Sequence, residues 1–124
     1  MSGYGIVIMS HSKDIAQGIH NLLDEVAKDV SITHAGGDED GGIGTSFDAA
    51  LEMIENNPKD KLLAFFDLGS AKMNLEMAIE MSDKEVTVYS VSVVEGAYTA
   101  AALLQADADI DAIESQLEAL KINK

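Results

Sequence analysis

Apolar positions along the chain alternate between short unbroken runs and stripes at helical spacing. Tyr4-Gly5-Ile6-Val7-Ile8-Met9 is a continuous run suited to a strand covered on both faces, and it predicts a first strand ending near Ser10. The period then changes. Ile15, Ile19, Leu22, Leu23 and Val26 fall on one stripe with Lys13, Asp14, Asp24 and Lys28 off it, which predicts a helix from about Ser12 to Asp29. Residues 30–35 read as a second strand. The stretch from Gly36 to Gly44 carries too many glycines and carboxylates to pack and is the one long loop.

Thr45 offers a hydroxyl N-cap with Asp48 three residues on, and Phe47, Ala50, Leu51 and Ile54 form the stripe of a helix from about Ser46 to Asn56, stopped by Asn57-Pro58. Leu62 to Phe66 is a third buried strand ending at Asp67. Gly69-Ser70 turns the chain into a helix carrying Ala71, Leu75, Ala78 and Ile79. Val86 to Val94 reads as a fourth strand ending in Glu95-Gly96, followed by helices over 97–106 and 110–120, the latter started by Asp109. The predicted order is βαβαβαβαα. It implies an α/β fold: three layers, with a mainly parallel central sheet of about four strands, right-handed crossovers and helices on both faces. In such sheets reactive groups collect at the carboxyl ends of the strands.

The chain's 124 residues match one domain, 1–124, and 47% apolar with 24% charged residues fits a folded globular chain. Charge is lopsided: 22 acidic side chains against eight lysines and no arginine give a net charge of −14. A phosphodiester backbone or an anionic membrane would repel such a chain, so neither nucleic acid nor membrane is an expected partner and a basic protein is. With no cysteine, disulfides, thiolate metal sites and cysteine nucleophiles are excluded. The Met1-Ser2-Gly3 start has no cationic leader with a long apolar stretch, and no run approaches the roughly 18–20 apolar residues of a membrane span. A cytoplasmic location is the expectation.

The predicted carboxyl edge gathers Ser10-His11-Ser12, His34, Asp67-Leu68-Gly69-Ser70 and Glu95-Gly96. His11 lies between a buried strand and a helix N-terminus, where free amides and the helix dipole favour an anion. Asp67 is either a turn or cap residue or, if His11 is near, the carboxylate that fixes the ring's tautomer, frees the other nitrogen as nucleophile and stabilises the positive ring formed on attack. His20 is expected to face solvent near Asp24, and His34 has no partner visible in sequence. Met73, Met77 and Met81 are expected to fill core edges, with a subunit contact as the alternative. Asp38-Glu39-Asp40 lacks the ligand alternation of a calcium loop and reads as solvated, so no metal is expected. A phosphate loop ending in Gly-Lys-Ser or Gly-Lys-Thr is absent, so the chain is not a kinase by itself, and no cofactor is expected.

Five motifs in order carry a family resemblance over nearly the whole chain: Ser10-His11-Ser12, Ile43-Gly44-Thr45, Asp67-Leu68-Gly69-Ser70-Ala71, Val94-Glu95-Gly96 and Ala108-Asp109-Ile110-Asp111. The sequence resembles the DhaM family, phosphotransfer subunits of dihydroxyacetone kinase that share the fold of mannose-type enzyme IIA domains. Mannose-type relatives carry a tryptophan-containing Gly-Gly-Ser turn, which this Trp-free chain lacks. The resemblance implies a phosphohistidine relay. His11 would accept a phosphoryl group from the carrier HPr and pass it to ADP on the DhaL subunit, and the ATP formed would serve DhaK. It also implies a homodimer. The family's fused carrier-like domains have no counterpart within these 124 residues, which points to free HPr as donor.

On that reading His11 is the nucleophile and Asp67 the orienting carboxylate, while Gly44, Thr45, Gly69 and Ser70 hold the phosphoryl oxygens. The lack of arginine suits a carrier that must release its cargo. A receiver-like domain phosphorylated on Asp67 is the nearest alternative, although a receiver carries an acidic pair where this chain has Ser10-His11-Ser12. A flavin or nucleotide module and a pure scaffold are the others.

Overall fold

A computed structural model describes residues 3–124; Met1 and Ser2, on which part of the reading of the chain's start falls, lie outside the described residues. The elements are β1 (Tyr4–Ser10), α1 (Lys13–Val26), β2 (Ile32–Gly36), α2 (Phe47–Asn56), β3 (Lys61–Phe66), α3 (Ala71–Glu80), β4 (Glu85–Tyr89), α4 (Val93–Gln105) and α5 (Ile110–Glu118). All four strands are parallel, in the order β2-β1-β3-β4.

Alternation along the two central strands builds two cores. Ile6, Ile8, Leu63 and Phe65 point to one face, where they bury Ile19 and Leu23 of α1, Ala97, Ala100, Ala101 and Leu104 of α4, and Ile113 and Leu117 of α5. Val7, Met9, Leu62, Ala64 and Phe66 point to the other, against Ala50, Met53 and Ile54 of α2 and Ala71, Leu75 and Ala78 of α3. Phe65 and Phe66 are fully buried on opposite faces, each removal from water being worth roughly 1.5–3 kcal/mol. Central strands apolar on both faces are why these segments read as runs rather than alternations.

Strand order makes the placement of the site intelligible. From β1 the chain crosses to β2 on one side, and from β2 it returns past β1 to β3 on the other. The carboxyl ends of β1 and β3 therefore flank the point where the connections diverge, the crevice in which doubly wound sheets hold ligands.

Several boundaries differ from expectation. Helix one ends at Val26, not Asp29, because Val30 N donates back to Ala27 O (3.1 Å) in a tight turn. Ser46, not Thr45, caps α2: its Oγ accepts from Ala49 N at 3.2 Å. The largest correction concerns the fourth strand. It stops at Tyr89, and Val93, Val94, Glu95 and Gly96 belong to the first turns of α4 rather than to a strand and its carboxyl end. Gly96 permits close packing there, since a Cβ would lie 2.4 Å from Val91 Cγ2. Methionines 73, 77 and 81 do not fill core edges: Met73 and Met81 are 71% and 68% exposed, and the buried stripe of α3 is Ala71, Leu75 and Ala78.

Candidate functional site

Ser10, His11 and Ser12 make the turn from β1 into α1. Ser12 caps the helix, its Oγ accepting from Ile15 N at 3.3 Å. Behind the turn, Gly36 lets β2 approach: a Cβ there would stand 2.6 Å from Lys13 Cα and from Ser12 O. In front, Gly44 N donates to His11 O at 2.8 Å, from a backbone with φ of +148° that favours glycine. His11 is thus held by its backbone from two sides, with its ring free to reach across to β3.

Asp67 follows β3 directly, its N–H donating to Met9 O at 3.2 Å as a continuation of the β1–β3 pairing. Its carboxylate accepts from four donors. Oδ2 takes Ser10 Oγ at 2.7 Å and His11 N at 3.0 Å; Oδ1 takes His11 Nδ1 at 3.0 Å and Leu68 N at 2.7 Å. Burial on its own would raise the carboxyl pKa, but the hydrogen bonds from His11 N–H, the His11 ring, Ser10 and Leu68 outweigh it and hold the group below its ordinary value. An ionised carboxylate can only accept, so the proton of a neutral His11 ring sits on Nδ1. Nε2 then presents its lone pair, which accepts from the hydroxyl of Ser70 at 2.6 Å. The side chains of His11 and Asp67 are 17% and 13% exposed, shielded but reachable.

Ser70 has the N-cap position of α3 yet makes no cap hydrogen bond with its side chain; the hydroxyl serves His11 instead. Gly69 lies beside it, its Cα face close to the backbone of Lys124. Thr45 Oγ1 accepts from Asn74 Nδ2 at 2.8 Å, which ties the approach to α2 to the first turns of α3. The structure thus brings His11, Asp67 and Ser70 into direct contact and sets Gly44 against His11. Gly44's amide is spent on the His11 carbonyl, and among the described residues Thr45 and Gly69 make no hydrogen bond to the ring or to the carboxylate.

Sequence reasoning passed over Ser10 and Lys124. Ser10 is fully buried and bridges Asp67 to Ser12 N, its Oγ donating to the first and accepting from the second at 3.1 Å. A hydroxyl closing an otherwise apolar run was the available signal. Lys124 Nζ donates to Phe66 O and Asp67 O from a tail whose sequence carries no such hint.

The other two histidines depart from expectation by pairing. His20 is not solvent-facing: its Nδ1 lies 2.6 Å from Nδ1 of His34, and its Nε2 lies 3.4 Å from Asp24 Oδ2. Burial, then the neighbouring His20, lowers the pKa of His34. Asp38 Oδ1 accepts from Asp40 N and Gly42 N, closing the acidic loop on itself. Among the described residues no group of three or more His, Asp or Glu is placed to hold a metal ion, and no helix is long and apolar enough to cross a membrane.

A doubly wound domain with an oriented histidine at its switch point defines a class before it defines a branch. Residues 5–114 match the EIIA-man family, described as "PTS system fructose IIA component", and the chain belongs to that family. The crystal structure of the unknown-function protein EF1359 superposes with a TM-score of 0.82 at 26% identity, covering 97% of this chain and 96% of that one. Within the family the chain belongs to the DhaM subunits. It is 57% identical to the "PTS-dependent dihydroxyacetone kinase, phosphotransferase subunit DhaM" of Lactococcus lactis subsp. lactis (strain IL1403), over 98% of each chain. It is 53% identical to the "PEP-dependent dihydroxyacetone kinase 1, phosphoryl donor subunit DhaM" of Listeria innocua serovar 6a, over 96% of each.

Proposed function

We propose that this chain, as a single cytoplasmic domain over 1–124, relays phosphoryl groups through Nε2 of His11, from the phosphohistidine of HPr to ADP bound on DhaL. The observation that carries the reading is the ring itself, held by Asp67 at Nδ1 and offering Nε2 to a movable hydroxyl, in a chain whose relatives are named as phosphoryl donor subunits.

The Nε2 lone pair attacks phosphorus as the donor's N–P bond breaks, and the donor imidazole leaves with that electron pair. No proton need move. His11 then carries positive charge with Nδ1–H still on Asp67, whose carboxylate stabilises it. Ser70 turns its hydroxyl from the ring to a phosphoryl oxygen, and Thr45 with the backbone at Gly44 and Gly69 borders the same space. In the second step an oxygen of the ADP β-phosphate attacks, the N–P bond breaks, and the electron pair returns to Nε2. The ATP formed phosphorylates dihydroxyacetone on DhaK. Positioning and charge suffice for a loose phosphoryl transition state, without a metal held by this chain.

Exposed Ile43, Leu68 and Met73 stand in the segments that frame His11, an apolar rim for protein partners, and the net charge of −14 favours basic ones. The exposed Met77 and Met81 farther along α3 fit a homodimer contact. Asp67, with both oxygens already shared among donors, makes a poor phosphoryl acceptor, which favours the relay over a receiver. Labelling with phosphoenolpyruvate, enzyme I and HPr should yield acid-labile, base-stable phosphate on the wild type and none on His11→Ala. Undiminished labelling of His11→Ala, or a hydroxylamine-sensitive phosphate, would refute the assignment.

A further inference from the structure

After α5 the chain runs back to the site. Ser92 N donates to Leu120 O at 3.1 Å and Ile122 N to Ser90 O at 3.0 Å, and Val91 pairs with Lys121 as an isolated antiparallel bridge. This short ladder aims the tail at the carboxyl end of β3. There Lys124 Nζ donates to Phe66 O at 2.6 Å and to Asp67 O at 3.2 Å, and lies 4.5 Å from the centre of the Phe66 ring. Gly69 makes room for the tail: a Cβ there would come within 3.1 Å of the Lys124 carbonyl carbon.

We propose that Lys124 is a positioning residue for the His11–Asp67 pair, its ammonium clamping the two carbonyls that flank the Asp67 Cα. The inference rests on the relay reading, in which the carboxylate of Asp67 sets the ring.

Two peptide planes meet at Asp67, and each is held from both sides. In the first, Asp67 N donates to Met9 O while Phe66 O accepts from Lys124. In the second, Leu68 N donates to the Asp67 carboxylate while Asp67 O accepts from Lys124. Lys124 therefore supplies one anchor to each plane. Without it both carbonyls turn to water, the 66–68 backbone gains freedom to rotate, and the carboxylate swings with it. Burial lowers the pKa of Lys124 and the charge of Asp67 opposes that lowering, so the two groups also attract through space. The ammonium acts through Asp67 and is assigned no contact with the phosphoryl group.

The experiment uses the full chain carrying 15N-labelled histidine, as wild type, Lys124→Met, Lys124→Gln and Lys124→Arg. Methionine keeps an apolar stem over Phe66 and removes the donors; glutamine is a second neutral variant; arginine keeps charge and donors. Ring nitrogen spectra at neutral pH report where the His11 proton sits, and uptake of phosphate from phosphoramidate, a small donor that needs no docking, reports reactivity. The wild type should show the Nδ1–H form, the neutral variants a mixture of tautomers with uptake slowed about tenfold, as for other residues that orient a reactive group from behind, and arginine should restore both. A wild-type ring spectrum in folded Lys124→Met or Lys124→Gln overturns the proposal, as does failure of Lys124→Arg to restore it. The tautomer measurement needs no phosphoryl transfer, so a wild type that refuses phosphate defeats the relay while leaving the positioning role separately readable.

Discussion

Replacing Asp67 by asparagine keeps shape and removes charge, and the donors around the carboxylate decide the outcome. Each carboxylate oxygen faces two of them: Ser10 Oγ and His11 N at Oδ2, His11 Nδ1 and Leu68 N at Oδ1. An asparagine amide must point NH2 at one of these pairs. Placed at the Oδ2 position, the NH2 meets the His11 backbone N–H, which cannot reverse its role. At the Oδ1 position it meets the Leu68 N–H, and the His11 ring must then accept at Nδ1. That moves the ring proton to Nε2, where it blocks the nucleophile and points at Ser70.

Either orientation loses at least one charge-assisted bond and opposes two donors in a largely buried place, a cost of roughly 2–4 kcal/mol in stability. Loss of the reactive tautomer slows transfer further: in a triad, asparagine in the orienting position lowers turnover by about 10⁴. Here the ring is also held by Ser70, so a fall of about 10²–10⁴ in phosphoryl uptake is expected, or about 2.7–5.4 kcal/mol of barrier. The assay is the initial rate of labelling from phosphorylated HPr, with ring 15N spectra on the same sample. Labelling of Asp67→Asn within about twofold of wild type would refute the reasoning, and the ring spectra report which of the two amide orientations is adopted.

Gly36→Ala drives a Cβ into the backbone of Ser12 and Lys13, so α1 must move; a loss of roughly 1–3 kcal/mol is expected, with slower labelling because His11 shifts too, and unchanged thermal stability would contradict it. Asn57 is buried and its amide nitrogen donates to Ile6 O, Ser31 O and Thr33 Oγ1 while its Oδ1 accepts from Lys59 N; Asn57→Ala should cost roughly 3 kcal/mol, a fall of about 10 °C in Tm by calorimetry. For His34 the folded pKa lies below the ordinary 6.5, so the unfolded chain takes up protons first on acidification and the pair's stability, present above pH 6.5, is lost as pH falls below it. Urea unfolding between pH 7.5 and 5 should show a decline that His34→Asn flattens, and parallel profiles would refute the pairing as its cause.

Much of the fold and site was legible in the sequence, for identifiable reasons. Strands buried on both faces write themselves as unbroken runs, so β1 and β3 and the residues just after them, His11 and Asp67, could be placed without coordinates. The same signal misled at Val86 to Val94. An apolar run does not say whether its valines alternate in a strand or enter a helix. Here Val91 leaves the sheet to pair with Lys121, while Val93 opens α4. The His20–His34 contact was illegible because it depends on how α1 lies against β2, which periodicity constrains only by face. Met73, Met77 and Met81 sit at helical spacing, but Met73 and Met77 lie two residues on from the buried Ala71 and Leu75 and so fall on the opposite side of α3.

Residue type alone could assign Asp67 two roles, helix cap or ring partner, and the competition is resolved by geometry at α3. A cap for that helix would need the carboxylate turned toward its first-turn amides, and those are served without it: Ala71 N donates to Leu68 O at 3.0 Å and Lys72 N to Gly69 O at 3.1 Å. The tight turn at 68–72 satisfies the helix start from its own backbone, which releases both Asp67 and Ser70 from capping. Of the Asp67 carboxylate's bonds only the one from Leu68 N serves the turn; the others go to Ser10 and His11. The Ser70 hydroxyl is likewise left for Nε2. A helix that asks nothing of its flanking side chains is what allows two residues with strong capping tendencies to act on an imidazole instead. The reactivity of His11 therefore depends on the 68–72 turn as much as on the two side chains that touch the ring.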